Sequence, residues 1–544
     1  MRGQSWFAGV AMAASALGLA AVFAWPALAE NATAPTAAAA QWVNPDTAPA
    51  SDPSDTAPAV PAPSGEGQGE AAQAPAETAP PPEATPVVAS IRTKIADQRK
   101  TSSSPDLVAI EAFYNQRSDP LWMTDMGFSG RALAAIDEIM RADDWGLSSA
   151  AFDLPPAGEL PKSPDDAAAN EIKLDLAILK YARFARGGRT NPANLSKLYG
   201  VAPTLRDPKA VMTEIAAADA PDAYLRSLHP KHEQFQRLHQ ALLKARAERE
   251  AGANPPNVQK IVVNMERWRW MPEDLGSLYL WLNVPAFTVY LYKDGKQIYT
   301  DKIVVGELKY ATPMFSADLQ SVVFNPEWTV PPTIVRENLL PNLRGGGGLF
   351  SRNTAILDQH ELKVKYNGRF VDPGSINWNT VNMAAISFVQ APGPNNVLGK
   401  VKFVYPNPFS VYMHDTIKQG LFDTDMRAEG HNCPRVYKPG KMAAMVLAAD
   451  QDMPQAEVDK LLASGYNSGV NIKHHLPVHT TYFTAMVNDE GKVATYPDVY
   501  KLDGALAAAI GSNANPDSVA DNAPQAKPKP KPQAQGGDLA ESVR

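Results

Sequence analysis

Between about Ser104 and Glu250 the apolar positions recur at helical spacing. Leu174, Ala177, Ile178, Tyr181, Ala182 and Ala185 fall on one face, and Leu133, Ile136 and Met140 on another. The spacing predicts a helical domain over 104–250. Gly187 and Gly188 stop one helix, and Asn191-Pro192 opens the next connection with turn chemistry. From about Val258 the pattern changes. Residues 279–284 and 286–292 are short runs rich in aromatic and β-branched side chains, the second leading into Asp294 and Gly295, so a hairpin follows. Residues 321–324, 401–405, 410–413 and 482–487 read as further strands, which makes 258–505 mainly β. Residues 336–394 interrupt them with a Gly-, Asn- and Pro-rich stretch that includes Gly345 and Gly348. The expectation is a long irregular insertion, either a lid over a cleft or a loose surface excursion.

Composition adds the ends. Hydrophobic residues make up 44% of the 544, enough for more than one core, while the 48 prolines cluster outside the patterned middle. Residues 30–103 are dominated by Ala, Pro, Ser, Thr, Glu and Gln and are expected to form a disordered tether; 511–544, with its Lys-Pro repeats, is expected to be a disordered tail. Arg2, an apolar run over 7–25 and Ala27-Leu28-Ala29 read as a signal peptide over 1–29, cut before Glu30. The mature chain is then exported and keeps no stable membrane span, although an uncleaved segment would be long enough for an anchor. A net charge of -7 without basic runs argues against a nucleic-acid partner.

The chain has one cysteine, so no internal disulfide can form, and a lone thiol in an oxidising compartment is a liability. Composition alone favours an inert buried Cys. Cys433 lies in Gly430-His431-Asn432-Cys433-Pro434-Arg435, downstream of a strand ending in Tyr412-Met413-His414-Asp415. A thiol becomes a good nucleophile when a base or a positive neighbour raises its thiolate fraction. His414, at a strand end, and His431, two residues from the thiol, are the two candidate bases; the strand-end position meets fewer geometric objections. His229, His232 and His239 are explained as helix-surface residues rather than metal ligands.

The segment around Cys433 resembles the signature of L,D-transpeptidases, in which a His precedes a Ser-His-Gly-Cys tetrad followed by an apolar residue and Arg. The likeness extends to Arg267-Trp268-Arg269-Trp270-Met271-Pro272, Thr312-Pro313-Met314, Asn325-Pro326-Glu327-Trp328, Pro392-Gly393-Pro394, Lys402-Phe403 and Leu476-Pro477-Val478-His479. Together with Phe113-Tyr114 and Pro120-Leu121-Trp122, these are similar to the family's large scaffold-domain subgroup. The separate peptidoglycan-binding-like module is missing, since Glu250 runs into Asn264 in too few residues to hold it.

The resemblance implies an α+β multidomain chain: an N-terminal helical scaffold domain and a mainly β catalytic domain carrying a lid-like capping insertion over 336–394. It implies a periplasmic enzyme of a Gram-negative bacterium, a carbapenem target without cofactor or metal, that acts on peptidoglycan stem peptides. Cys433 is its nucleophile and His414 the base; a thioester forms on the third stem residue, D-Ala leaves, and a 3-3 cross-link results. Other cell-wall enzymes or wall-anchored proteins are candidate partners. Gly430 stands where the family has Ser or Thr, Asn432 replaces Gly, and Pro434 has no N–H, so the oxyanion is expected to rest on the amides of Cys433 and Asn432. Asn enters left-handed backbone more readily than other non-Gly residues, so Asn432 is tolerable. Arg435, Tyr412, His431 and Trp328 are candidate substrate-binding residues, with loop bracing for Arg435 and core packing for the aromatics as the plainer readings. Two rival classes remain: a zinc peptidase using His474, His475, His479 and Asp415, and a non-catalytic wall-binding or scaffold protein with a degenerate site.

Overall fold

The computed structural model describes residues 83–253, 257–345 and 354–511. The signal peptide over 1–29, the tether before residue 83 and the tail beyond 511 lie outside the described residues, as does most of the glycine run at 345–348.

Part of the expected tether is helix. Pro86–Arg99 starts at Thr85, whose side chain accepts from the Val88 N–H, and buries Val88, Ile91 and Ile95 completely. An i, i+3, i+7 apolar row sat in a segment whose flanks are Ala- and Pro-rich, and composition hid it. This helix packs against Pro164–Gly187, a 24-residue helix capped by the Ser163 hydroxyl and ended by Gly188 at φ 84°. No side chain fits at Gly188: a Cβ would lie 2.7 Å from the Glu266 carboxylate and the Trp270 indole nitrogen. The expected face of Gly130–Met140 is offset. Ala132, Ala135, Ile136 and Ile139 are buried, whereas Leu133 and Met140 are exposed, because the small alanines line the close helix contact and turn their larger neighbours to the rim.

The three histidines of this region are not surface residues. His229 and His239 are buried and sandwich the Trp145 ring at 4.2 and 3.8 Å, and His229 Nε2 meets the Tyr181 hydroxyl at 2.9 Å; half-buried His232 packs on Trp268. Burial lowers the pKa of each. Nor does the helical part close at residue 250. Helix Glu233–Glu250 shares with Val258–Arg269 an apolar cluster that contains Trp268 and takes in Tyr279, Trp281 and Phe483 of the β region.

The β region is built on one sheet. Its order runs Ser468–Asn471, Ser321–Phe324, Val401–Val404, Met413–His414, Arg435–Val436, Lys296–Gly306, Thr288–Lys293, Leu278–Asn283, Pro477–Thr481, Phe315–Asp318. The hairpin turns on Asp294 and Gly295, both at positive φ (49° and 75°), as its tight return requires. Two expected strands shift. Residues 408–409 form a turn and 410–412 are irregular, with Ser410 at φ 54° and the Asn407 side chain accepting from the Phe409 and Val411 N–H groups. Past Thr481 the chain leaves the sheet because Asn283 and Asn264 side chains take the Phe483 and Thr484 N–H groups.

The described residues of the insertion are not irregular. Arg369–Val371, Leu362–Tyr366, Ile386–Gln390 and Trp328–Thr329 form a four-stranded sheet with its own core of Trp328, Leu339, Leu357, Val364, Trp378 and Phe388. Among the described residues no helix is long and apolar enough to cross a membrane.

Candidate active site

The short strand Met413–His414 lies between Val401–Val404 and Arg435–Val436, with Lys402, His414 and Arg435 in register. Directly opposed residues of neighbouring strands point to one face, so three basic side chains form a row across the sheet. The Pro434 carbonyl accepts the His414 N–H at 3.1 Å, which ties the cysteine loop to the histidine strand. Asn432 turns that loop at φ 54°, the left-handed conformation expected of it. Its carbonyl accepts from Thr312 Oγ1 at 2.6 Å, and Thr312 Oγ1 accepts in turn from the Gly306 N–H.

Gly430 has a steric reason. It pairs with Gly306, and a Cβ there would sit 2.7 Å from the Val305 carbonyl oxygen, so the hydroxyl residue the family carries does not fit this backbone.

Cys433 is partly exposed as a residue, but protein surrounds its sulfur and burial pushes the thiol up to about 11. The Tyr412 N–H, Lys402 and Arg435 act the other way. His414 is buried and held down to about 3, first by burial and then by the Arg435 charge. Its Nδ1 is 2.5 Å from the Asp415 carbonyl, which assigns the proton to Nδ1 and leaves Nε2 as the basic nitrogen. The Asp415 carboxylate is occupied in the backbone, accepting from Thr416 and Lys400 N–H groups at 2.7 and 2.8 Å.

The expected oxyanion donors are committed elsewhere. The Cys433 N–H donates to the His431 carbonyl at 2.6 Å and the Asn432 N–H to the Tyr310 carbonyl at 2.9 Å. The first bond closes the loop on itself and the second ties it to the segment of Tyr310, so in this state neither amide points to a ligand.

Residues 277–452 match the family model described as the L,D-transpeptidase catalytic domain, and 108–242 match the Scaffold domain. Residues 277–452 form an L,D-transpeptidase catalytic domain. A Haemophilus influenzae protein named "Putative L,D-transpeptidase" is 30% identical over 246 residues, which are 45% of this chain and 48% of that protein. The chain thus spans about half the length of the curated relative it matches.

Around Cys433 and His414 of this L,D-transpeptidase domain the remaining candidates separate. Tyr412 belongs to the site, its ring 5.7 Å from His414 and 4.3 Å from the Lys402 ammonium. His431 stacks on Tyr310 at 3.8 Å, and the Tyr310 hydroxyl reaches Glu337 of the insertion at 3.1 Å, which joins the cysteine loop to the insertion. Trp328 is not a cleft residue: it is buried in the insertion core, on a strand paired with Gln390. Arg435 is buried with Nε and Nη1 unpartnered. The zinc constellation is scattered, since His474 bonds Asp450, His475 pairs with Asp318, and His479 sits between Ser316 and the Leu275 carbonyl.

Sequence reasoning missed Tyr405 and Thr312. Tyr405 continues the buried alternation Val401, Phe403 and reads as core, yet its hydroxyl has no partner and lies within electrostatic range of Cys433. The polar atom at the end of an apolar row was the signal available.

Proposed function

We propose that the protein is an exported peptidoglycan L,D-transpeptidase acting through a Cys433 thioester. The observation that carries this reading is the junction itself. The chain's only cysteine leads into a strand that pairs with the strand of His414, inside a matched catalytic domain, with the imidazole tautomer fixed by Asp415. The thiol proton passes to His414 Nε2 as sulfur attacks the carbonyl of the third stem residue. The peptide C–N bond breaks, and His414 returns the proton to the departing D-Ala amine. A diaminopimelate side-chain amine then attacks the thioester, which gives the 3-3 cross-link and frees the thiol. Because thiol and imidazole are both neutral at rest, substrate binding accompanies or precedes thiolate formation.

Intact-mass spectrometry after incubation with a carbapenem tests this. A covalent adduct on the wild type and none on Cys433→Ala supports the reading. The raised thiol pKa and the committed amides favour a second reading, a non-catalytic wall-binding protein. A folded wild type that stays unmodified moves that reading to the front.

A further inference from the structure

We propose that Arg435 docks the terminal carboxylate of the amino acid that leaves during acyl transfer. The inference rests on the acyl-transfer reading above and adds which group of the substrate is recognised. Its starting point is an electrostatic debt: the Arg435 side chain is 2% exposed as a residue, and two of its N–H donors, Nε and Nη1, have no hydrogen-bond partner. A buried guanidinium without a counter-charge is strongly unfavourable. No ion pair of Arg435 occurs among the described residues, and of the two groups whose charge favours the guanidinium, Cys433 is held toward its neutral thiol by burial and Glu429 is exposed. A charge kept in such a place is relieved by an anionic ligand.

Register fixes where that anion lies. Arg435 is directly opposite His414 on the neighbouring strand, so the two side chains share a face about 4.8 Å apart at the backbone. His414 hands its proton to the departing amine. In a C-terminal amino acid the carboxylate is attached to the carbon that bears this amine. A leaving group with its nitrogen at His414 therefore carries its carboxylate two bonds from that nitrogen, within reach of the neighbouring side chain on the same face, Arg435. Lys402, on the other side of His414, is less suited, because its ammonium lies over the Tyr412 ring at 4.3 Å. The Arg435 N–H groups are rigidly placed donors, and charge-assisted bonds from arginine to carboxylate are among the strongest a buried site offers.

The test uses the full chain carrying Cys433→Ala, which binds without turnover. It is titrated calorimetrically with a tetrapeptide stem ending in D-alanine and with the same peptide ending in D-alaninamide. The expected result is about 10- to 100-fold tighter binding of the carboxylate. That preference disappears when Arg435→Gln is added and is partly kept with Arg435→Lys. Equal binding of the two peptides, binding of neither, or an undiminished preference in Arg435→Gln overturns the proposal. If thermal unfolding shows that Arg435→Gln does not fold, Arg435→Lys decides: a reduced preference supports the docking role and an unchanged one overturns it. Failure of the acyl-transfer reading shows separately, as a missing carbapenem adduct on the Cys433 chain.

Discussion

Cys433 and His414 sit in protein rather than water, and low polarity favours the neutral form of each, raising the thiol to about 11 and lowering the imidazole to about 3. Alkylation of the free protein by iodoacetamide is therefore expected to rise with pH through the neutral range toward 11. A plateau below pH 7 would instead reveal a resting thiolate–imidazolium pair. Gly430 gives a second prediction at this scale. Gly430→Ser restores the family's residue, yet places a Cβ 2.7 Å from the Val305 carbonyl, so it is expected to lose about 1–3 kcal/mol in thermal unfolding. Equal stability of the two proteins would show that the strand yields. What was legible here was residue chemistry: a single thiol, a histidine at a strand end, and an asparagine suited to positive φ. Which carbonyls take up the loop amides depends on register and turn geometry, which single-residue patterns do not carry.

The insertion shows how an element escapes pattern reading. Its strands are three to five residues long except for the two-residue Trp328–Thr329, too short for alternation to stand out among turn-forming Gly, Asn and Pro. Its core joins Trp328, which precedes the segment, to Phe388 near the segment's end. Trp328→Ala is expected to cost about 3–5 kcal/mol of local stability. Hydrogen exchange would then speed up across 354–390 while Leu278–Asn283 and Thr288–Lys293 keep their protection. Uniform acceleration of the whole domain would mean that the insertion does not unfold as its own unit. Longer elements were easier to read. The hairpin through Asp294 and Gly295 was visible because six-residue strands show their aromatic and β-branched bias, and the end of Pro164–Gly187 because two glycines mark it.

At the scale of the molecule, the helical and β parts were legible as two textures, but not the core they share. Phe235 and Leu242 of one helix, Trp268 of the next, Tyr279 and Trp281 of a strand and Phe483 far along the chain meet in it, and each reads as a local strand or helix residue. The Trp145 stack borders that junction, because the Trp145 carbonyl accepts from Arg269 Nη2 at 2.6 Å and Arg269 also lies over Phe235. Its histidines make the junction sensitive to pH. His239 is lowered to about 4 and His229 well below its ordinary value, in both cases first by burial; Arg269 opposes their protonation, while Asp144 favours that of His239. Unfolded, both titrate near 6.5. Between about 6.5 and 4 the unfolded chain therefore binds more protons than the folded one, and stability rises with pH across that window. The contribution is complete above about 6.5 and is lost as pH falls toward 4. Calorimetric melting from pH 7.5 down to 5 is expected to show Tm dropping by several degrees, before most carboxylates titrate. His239→Gln should flatten the slope in this window, because glutamine takes up no proton. A wild-type Tm that stays level from pH 7.5 to 5 would mean that these rings are already charged, or reached by water, in the folded protein.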